Sequence, residues 1–199
     1  MATLDVPSTK GSAAAAEPTD TAELLRSIVT AHPSTISFLQ SSPNVQATRS
    51  VLVLKPEHLP NSLMGATLAA SDAVAEPYVF KDDNKGALLA FYYLGRRLAG
   101  HVGIVHGGIT AALLDECMGR ATFGRLPGKI AVTAKLEIEY KDPISLDSVI
   151  IVRADTIEVQ GRKAWVEAKV QDAVDGRIVA LAKGLFIQPK WADDLVQLM

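Results

Sequence analysis

His106, Gly107 and Gly108 stand directly before a proline-free run, Ile109 to Phe123, and Asp115 lies near the middle of that run. The entry to a helix leaves backbone amides without partners and carries partial positive charge, so an anion is favoured there. With no Cβ at Gly107, a substrate carbonyl can come close to its N–H, and that N–H could hold the oxyanion formed when a thioester is attacked. Two glycines would equally serve a plain strand-to-helix turn. Aspartate is a poor interior helix former and is rarely buried alone. Asp115 therefore reads either as a functional carboxylate or as a structural one satisfied by an arginine or a backbone amide. Arg120, five residues on, is poorly placed to be that mate. Glu116 points about 100° further round the helix and reads as a solvated or interfacial charge.

Eight residues of helix separate Gly107 from Asp115, and a rise of about 1.5 Å each places them roughly 12 Å apart along the axis. One chain does not aim both at the same carbonyl. If both act on one substrate, a second copy must bring its Asp115 to the first copy's Gly107, either by packing helices antiparallel or by joining sheet edges. The expectation is a two-fold homodimer with two composite sites, which could associate further as a dimer of dimers.

The elements that must position these groups follow from periodicity and punctuation. Thr21 to Ala31 carries Leu24, Leu25 and Ile28 at helical spacing after Thr19 and Asp20, which predicts a short capped helix. Pro33, Pro43, Pro56 and Pro60 break the stretch to Ser62 into short pieces. Leu63 to Ala69 is a weak candidate for any regular element, and Ala87 to Leu94 is apolar and aromatic enough for a buried strand. In the helix from Ile109 to Phe123, residues Ile109, Ala112, Leu113, Cys117 and Ala121 share one side. Four β-rich segments follow at about Ile130 to Tyr140, Ser148 to Val159, Lys163 to Asp172 and Arg177 to Gln188. Their joints, Asp142-Pro143, Gln160-Gly161 and Asp175-Gly176, are turn sequences too short for a parallel crossover. The expected fold is α+β: a curled antiparallel sheet, ending in a four-strand meander, wrapped around one long helix. Thr133 shares a strand face with Lys135, Glu137 and Glu139, opposite Ala134, Leu136, Ile138 and Tyr140, so strict alternation points it away from its own helix, toward solvent or a partner.

Composition narrows the function. The 199 residues suit one domain with an appendage, divided as a leader (1–20), a helical and irregular extension (21–60), the principal domain (61–190) and a tail (191–199). A net charge of −2 carries no broad basic footprint for nucleic acid. The single cysteine, Cys117, forms no internal disulfide, and no Cys/His spacing resembles a zinc site. Neither a metal nor a cofactor is expected. Apolar runs are too short to span a bilayer. The leader has Lys10 as its one basic residue against Asp5, Glu17 and Asp20, which favours a cytoplasmic location over mitochondrial import. No Walker loop, dinucleotide fingerprint or Gly-x-Ser-x-Gly is present.

His-Gly-Gly with Asp nine residues after the histidine, Lys129-Ile130-Ala131-Val132-Thr133-Ala134, Tyr140-Lys141-Asp142-Pro143-Ile144, and Gly161-Arg162-Lys163-Ala164-Trp165-Val166 together resemble the phenylacetate-pathway branch of the hotdog-fold thioesterases, including its animal and fungal acyl-CoA thioesterases. The resemblance covers roughly residues 60 to 190. It implies hydrolysis of an acyl-CoA or acyl-carrier thioester, with Asp115 as general base or nucleophile, Gly107 as oxyanion donor, His106 as a positioning group and Thr133 orienting water or the carboxylate. Gly108 belongs with the substrate, and Arg162 and Lys163, like Arg96 and Arg97, could meet the phosphates of coenzyme A. Several relatives carry an amide side chain six residues before the histidine, where this chain has Gly100; the neighbouring His101 could substitute or be a surface loop residue. Two other readings stand beside hydrolysis: a hydratase or dehydratase acting on enoyl or hydroxyacyl thioesters, and a non-catalytic acyl-thioester-binding module.

Overall fold

The computed structural model describes residues 20–192. The expected leader up to residue 19 and the tail from 193 lie outside the described residues.

Helix α1 (Asp20–Ala31) ends at His32, whose extended backbone (φ −70°, ψ 131°) turns the chain into α2 (Pro33–Gln40). Proline suits the first position of α2 because its missing N–H would have no helical partner there, and His32 Nδ1 accepts the Ser34 amide at 3.1 Å. Strand β1 (Gln46–Thr48) follows, then one turn of 3-10 helix at Leu59–Asn61 and one π-helical turn at Leu63–Thr67 in place of a regular element. Strands β2 (Tyr78–Asp82) and β3 (Ala87–Leu94) lead to a small hairpin of β4 (Ala99–His101) and β5 (Ile104–Val105), and then to the long helix α3 (Gly107–Thr122). The chain ends with β6 (Val132–Tyr140), β7 (Ser148–Gln160), β8 (Lys163–Asp172) and β9 (Ile178–Ile187).

The large sheet is antiparallel throughout, in the order β1-β2-β3-β7-β8-β9-β6. Three strands, β7 to β9, form the expected meander through turns at Gly161 (φ 57°) and Gly176 (φ 74°). The fourth does not join it in sequence: β6 lies beside β9, and residues 141–147 cross the sheet end to β7. The reason is the demand of β3. All eight of its residues are buried, so it is an interior strand that needs two partners, and β7 fills the place beside it along eight paired positions. This leaves β6 as an edge strand.

The two faces of β3 also explain its unbroken apolar sequence. Leu88, Ala90, Tyr92 and Leu94 face α3, together with Ile150, Val152, Val166, Val170 and Phe186. Leu89, Phe91 and Tyr93, with Phe80, Val149 and Ile151, are covered by Leu25, Val29 and Phe38 of α1 and α2. The buried stripe of α3 is Leu113, Leu114, Cys117, Met118 and Ala121; Ile109 and Ala112, expected on this stripe, are half-buried at its margin.

Candidate active site

The sequence places His106 at the N-cap of α3, and there its side chain has a definite task. His106 Nδ1 accepts the Gly108 amide at 2.9 Å, and its carbonyl accepts the Ile109 amide at 2.9 Å. Gly108 is thus committed to the cap, whereas the Gly107 N–H meets no acceptor among the described residues. It is exposed at the positive end of a 16-residue helix, with the geometry of an anion donor. Tyr140 closes over this turn, its hydroxyl donating to the Gly107 carbonyl at 2.9 Å. Gly100 packs against the same cap so tightly that a Cβ there would lie 2.7 Å from His106 Cα. No amide side chain fits at that position without moving the cap. His101 is exposed on β4.

Two turns along α3, Asp115 is half-buried, and its Oδ1 accepts the Thr133 hydroxyl at 2.6 Å. Strict alternation assigns Thr133 to the opposite face, and the correction has a local cause. In the pairing of β6 with β9, Thr133 is opposite Phe186 and Lys135 is opposite Leu185, so Ala134 is an extra residue. This bulge shifts the alternation by one, and Thr133 turns onto its own helix with Leu136, Ile138 and Tyr140. Strand β6 therefore holds α3 at two points, at Asp115 through Thr133 and at Gly107 through Tyr140.

Arg120 is not the mate of Asp115. It forms a two-pronged pair with Asp83 in the β2–β3 turn, at 2.8 and 3.2 Å. Burial opposes charge on Asp83, but the Arg120 bonds and charge, helped by Lys81, hold its carboxyl below the usual range. Of the two readings of Glu116, solvated or interfacial, the fully solvated one does not hold. The residue is half-buried, and burial, reinforced by the charge of Asp115, pushes its carboxyl up to about 7. Helical position alone carried no sign of this, since the covering comes from elsewhere in the chain. Cys117 is fully buried with its sulfur 3.3 Å from the Tyr92 hydroxyl, and burial pushes the thiol far up, so it is no nucleophile.

The cations considered for a phosphate separate into two groups. Arg96 and Arg97 pair with Asp147 and Asp72. Arg162 and Lys163 are exposed, and Arg162 donates to the Gln188 carbonyl at 2.8 Å. Among the described residues no cluster of three or more His, Cys, Asp or Glu could hold a metal ion, and no helix is long and apolar enough to cross a membrane.

A model of the thioesterase superfamily matches residues 102–179, which include the cap, α3 and Thr133. An uncharacterized mitochondrial protein of Candida albicans is 31% identical over 159 residues, covering 77% of this chain and 71% of that protein. The chain belongs to the thioesterase superfamily. Its rat relative named acyl-coenzyme A thioesterase THEM4 is 32% identical over 110 residues, 55% of this chain and 46% of that protein, so the chain spans less than half of that relative's length. The crystal structure of a hypothetical thioesterase protein of Streptococcus pneumoniae with coenzyme A superposes with a TM-score of 0.52 at 18% identity, over 59% of this chain and 89% of that one. This last is a likeness of fold: the hotdog arrangement of one long helix against a large antiparallel sheet. In this thioesterase-superfamily chain the helix is α3, and both candidate groups of the site are mounted on it.

Proposed function

We propose that this chain is an acyl thioesterase that hydrolyses an acyl-coenzyme A to a free acid and a thiol. The observation that carries the reading is the pair of groups on α3: an unspent N–H at Gly107 and a carboxylate at Asp115 fixed by a 2.6 Å bond from Thr133. The rat relative's name supports coenzyme A as the thiol carrier.

In this reading the thioester carbonyl oxygen rests on the Gly107 N–H, and negative charge developing on it is stabilised by that donor and by the helix terminus. The Asp115 carboxylate of a second copy accepts a proton from water as the water oxygen attacks the carbonyl carbon, or it attacks that carbon itself and the resulting anhydride is hydrolysed. The C–S bond breaks, and the departing sulfur takes a proton. Thr133 holds the carboxylate in line, and His106 shapes the turn that presents Gly107. The homodimer follows from the roughly 12 Å that separate the two groups within one helix. The edge of β6, which carries both Thr133 and Tyr140, is the surface on which the second copy would pair. The Candida relative's designation favours a mitochondrial compartment over the cytoplasm.

Asp115→Asn should lower thiol release from an acyl-CoA by about 10²- to 10⁴-fold. A purified, folded Asp115→Asn protein working at the wild-type rate would overturn the assignment. Mixing it with a Gly107→Pro protein tests the composite site. Heterodimers carry one intact pair of groups, so activity returns that neither parent shows; if mixing restores nothing while subunits demonstrably exchange, each site lies within one chain.

A further inference from the structure

We propose that Tyr140 is a positioning residue for the oxyanion: its hydroxyl and ring hold the Gly107–Gly108 turn in the orientation that presents the Gly107 N–H to the substrate carbonyl. This rests on the thioesterase reading and adds to it a group that touches no reacting atom.

The amides at the start of α3 are almost all spoken for. The His106 N–H donates to the Leu98 carbonyl at 2.8 Å, the Gly108 N–H to His106 Nδ1 at 2.9 Å and the Ile109 N–H to the His106 carbonyl at 2.9 Å. Groups left without helical partners at a helix start are N–H groups, not carbonyls. The Tyr140 hydroxyl nevertheless donates to a carbonyl, that of Gly107, at 2.9 Å. The bond rescues no orphaned backbone group, and with Tyr140 53% exposed, water would satisfy its hydroxyl equally well. What the bond supplies is direction.

Two successive glycines need such a constraint. The missing Cβ that lets a carbonyl approach Gly107 also leaves the backbone its widest choice of φ and ψ, and glycine is a poor helix former. Here the peptide between Gly107 and Gly108 is gripped at both ends, its C=O by the Tyr140 hydroxyl and its N–H by the His106 imidazole. The Tyr140 ring lies over Gly107 itself, with Cε1 at 3.5 Å and Cζ at 3.6 Å from the place a Cβ would take. On the other side Gly100 of β4 backs His106. The turn is clamped between β4 and the end of β6, and the Gly107 N–H is the donor this clamp leaves free.

Tyr140 reaches the turn through the same bulge that aims Thr133. Seven residues apart, Thr133 and Tyr140 would face opposite sides of an unbroken strand; the extra residue Ala134 puts both on α3. One strand thus sets the direction of the carboxylate and of the oxyanion donor together.

The test is a double-mutant cycle with Gly107→Pro, which lacks the N–H in question. In the wild-type background Tyr140→Phe should lower kcat for an acyl-CoA roughly fivefold, the weight of one hydrogen bond, and leave KM in place. In the Gly107→Pro background the same change should alter kcat by less than about twofold, because the donor it orients is gone. Binding gives a second readout. A trifluoromethyl ketone analogue of the acyl-CoA has an oxygen that becomes charged when a nucleophile adds to its carbonyl carbon, whereas the thioether analogue has no carbonyl. Tyr140→Phe should weaken binding of the ketone roughly fivefold and leave that of the thioether unchanged. The ring stays and the site is exposed, so Tm should remain near that of wild type. A Tyr140→Phe protein as fast as wild type, an equal loss of kcat in both backgrounds, a rise in KM alone, equal weakening of both analogues, or a Tm lowered by several degrees would overturn the proposal and leave the thioesterase reading standing. A wild-type protein that hydrolyses no thioester would instead refute that reading, and this one with it.

Discussion

Proline at position 107 deletes one N–H from the turn and keeps the rest of it. Gly107 is the first residue of α3, the helical position at which proline is best tolerated. His106 before it has φ −61° and ψ 128°, within the extended region that a residue preceding proline adopts. A Cβ on residue 107 would lie 3.5 to 3.7 Å from the Tyr140 ring and hydroxyl, an ordinary contact. The deleted N–H has no acceptor among the described residues, and the carbonyl still accepts from Tyr140. Gly107→Pro should therefore melt near the wild-type temperature. Its kcat should fall by about 10²- to 10³-fold, the usual cost of one oxyanion donor, corresponding to about 2.7–4 kcal/mol. Gly107→Ala is the comparator, because it adds the same Cβ and keeps the N–H; its loss reads the crowding of the approaching carbonyl alone, and Gly107→Pro should fall at least tenfold below it. Thiol release followed with a chromogenic disulfide, beside a thermal melt of each protein, decides the matter. A folded proline variant as fast as the alanine variant would show that the Gly107 amide holds no oxyanion.

Thr133→Val removes a hydrogen bond to an ionised carboxylate at an exposed site, where the lower end of the range, about 1.5 kcal/mol, applies; kcat should fall roughly tenfold and recover in Thr133→Ser. Equal losses in both variants would assign the effect to packing. Between its usual 4.5 and about 7, Glu116 keeps a proton in the folded protein that the unfolded chain has released, so stability falls as pH rises through that window, by up to about 3 kcal/mol. Urea unfolding of Glu116→Gln should lack this slope, and curves parallel to wild type from pH 5 to 8 would contradict it. A Cβ at Gly95 would lie 2.3 Å from the backbone carbon and oxygen of Asp72. Gly95→Ala should cost about 1–3 kcal/mol, or more if the backbone resists, seen as a lowered Tm. An unchanged Tm would mean that the 72–75 segment yields freely.

Hairpin turns and the long helix were legible because their causes are local. Glycine at 161 and 176 supplies the positive φ the turns require, and the proline-free run after His106-Gly107-Gly108 has one way to be regular. Gly107 and Asp115 stood out as residue types at a spacing, whereas the role proposed for Thr133 entered only through the family resemblance. Tertiary structure alone decided the rest. The neighbour of β6 depended on which strand edges remained once β3 had taken β7, a competition between segments far apart in sequence. The direction of Thr133 depended on one extra residue, Ala134, that alternation cannot register because the bulge exists only in the pairing with β9. The state of Glu116 was set by atoms brought over it from outside α3, since desolvation is a property of the assembled surroundings. Local sequence determines which residues are available to a site; long-range packing determines which of them meet, because the covering and the pairing partners come from elsewhere in the chain.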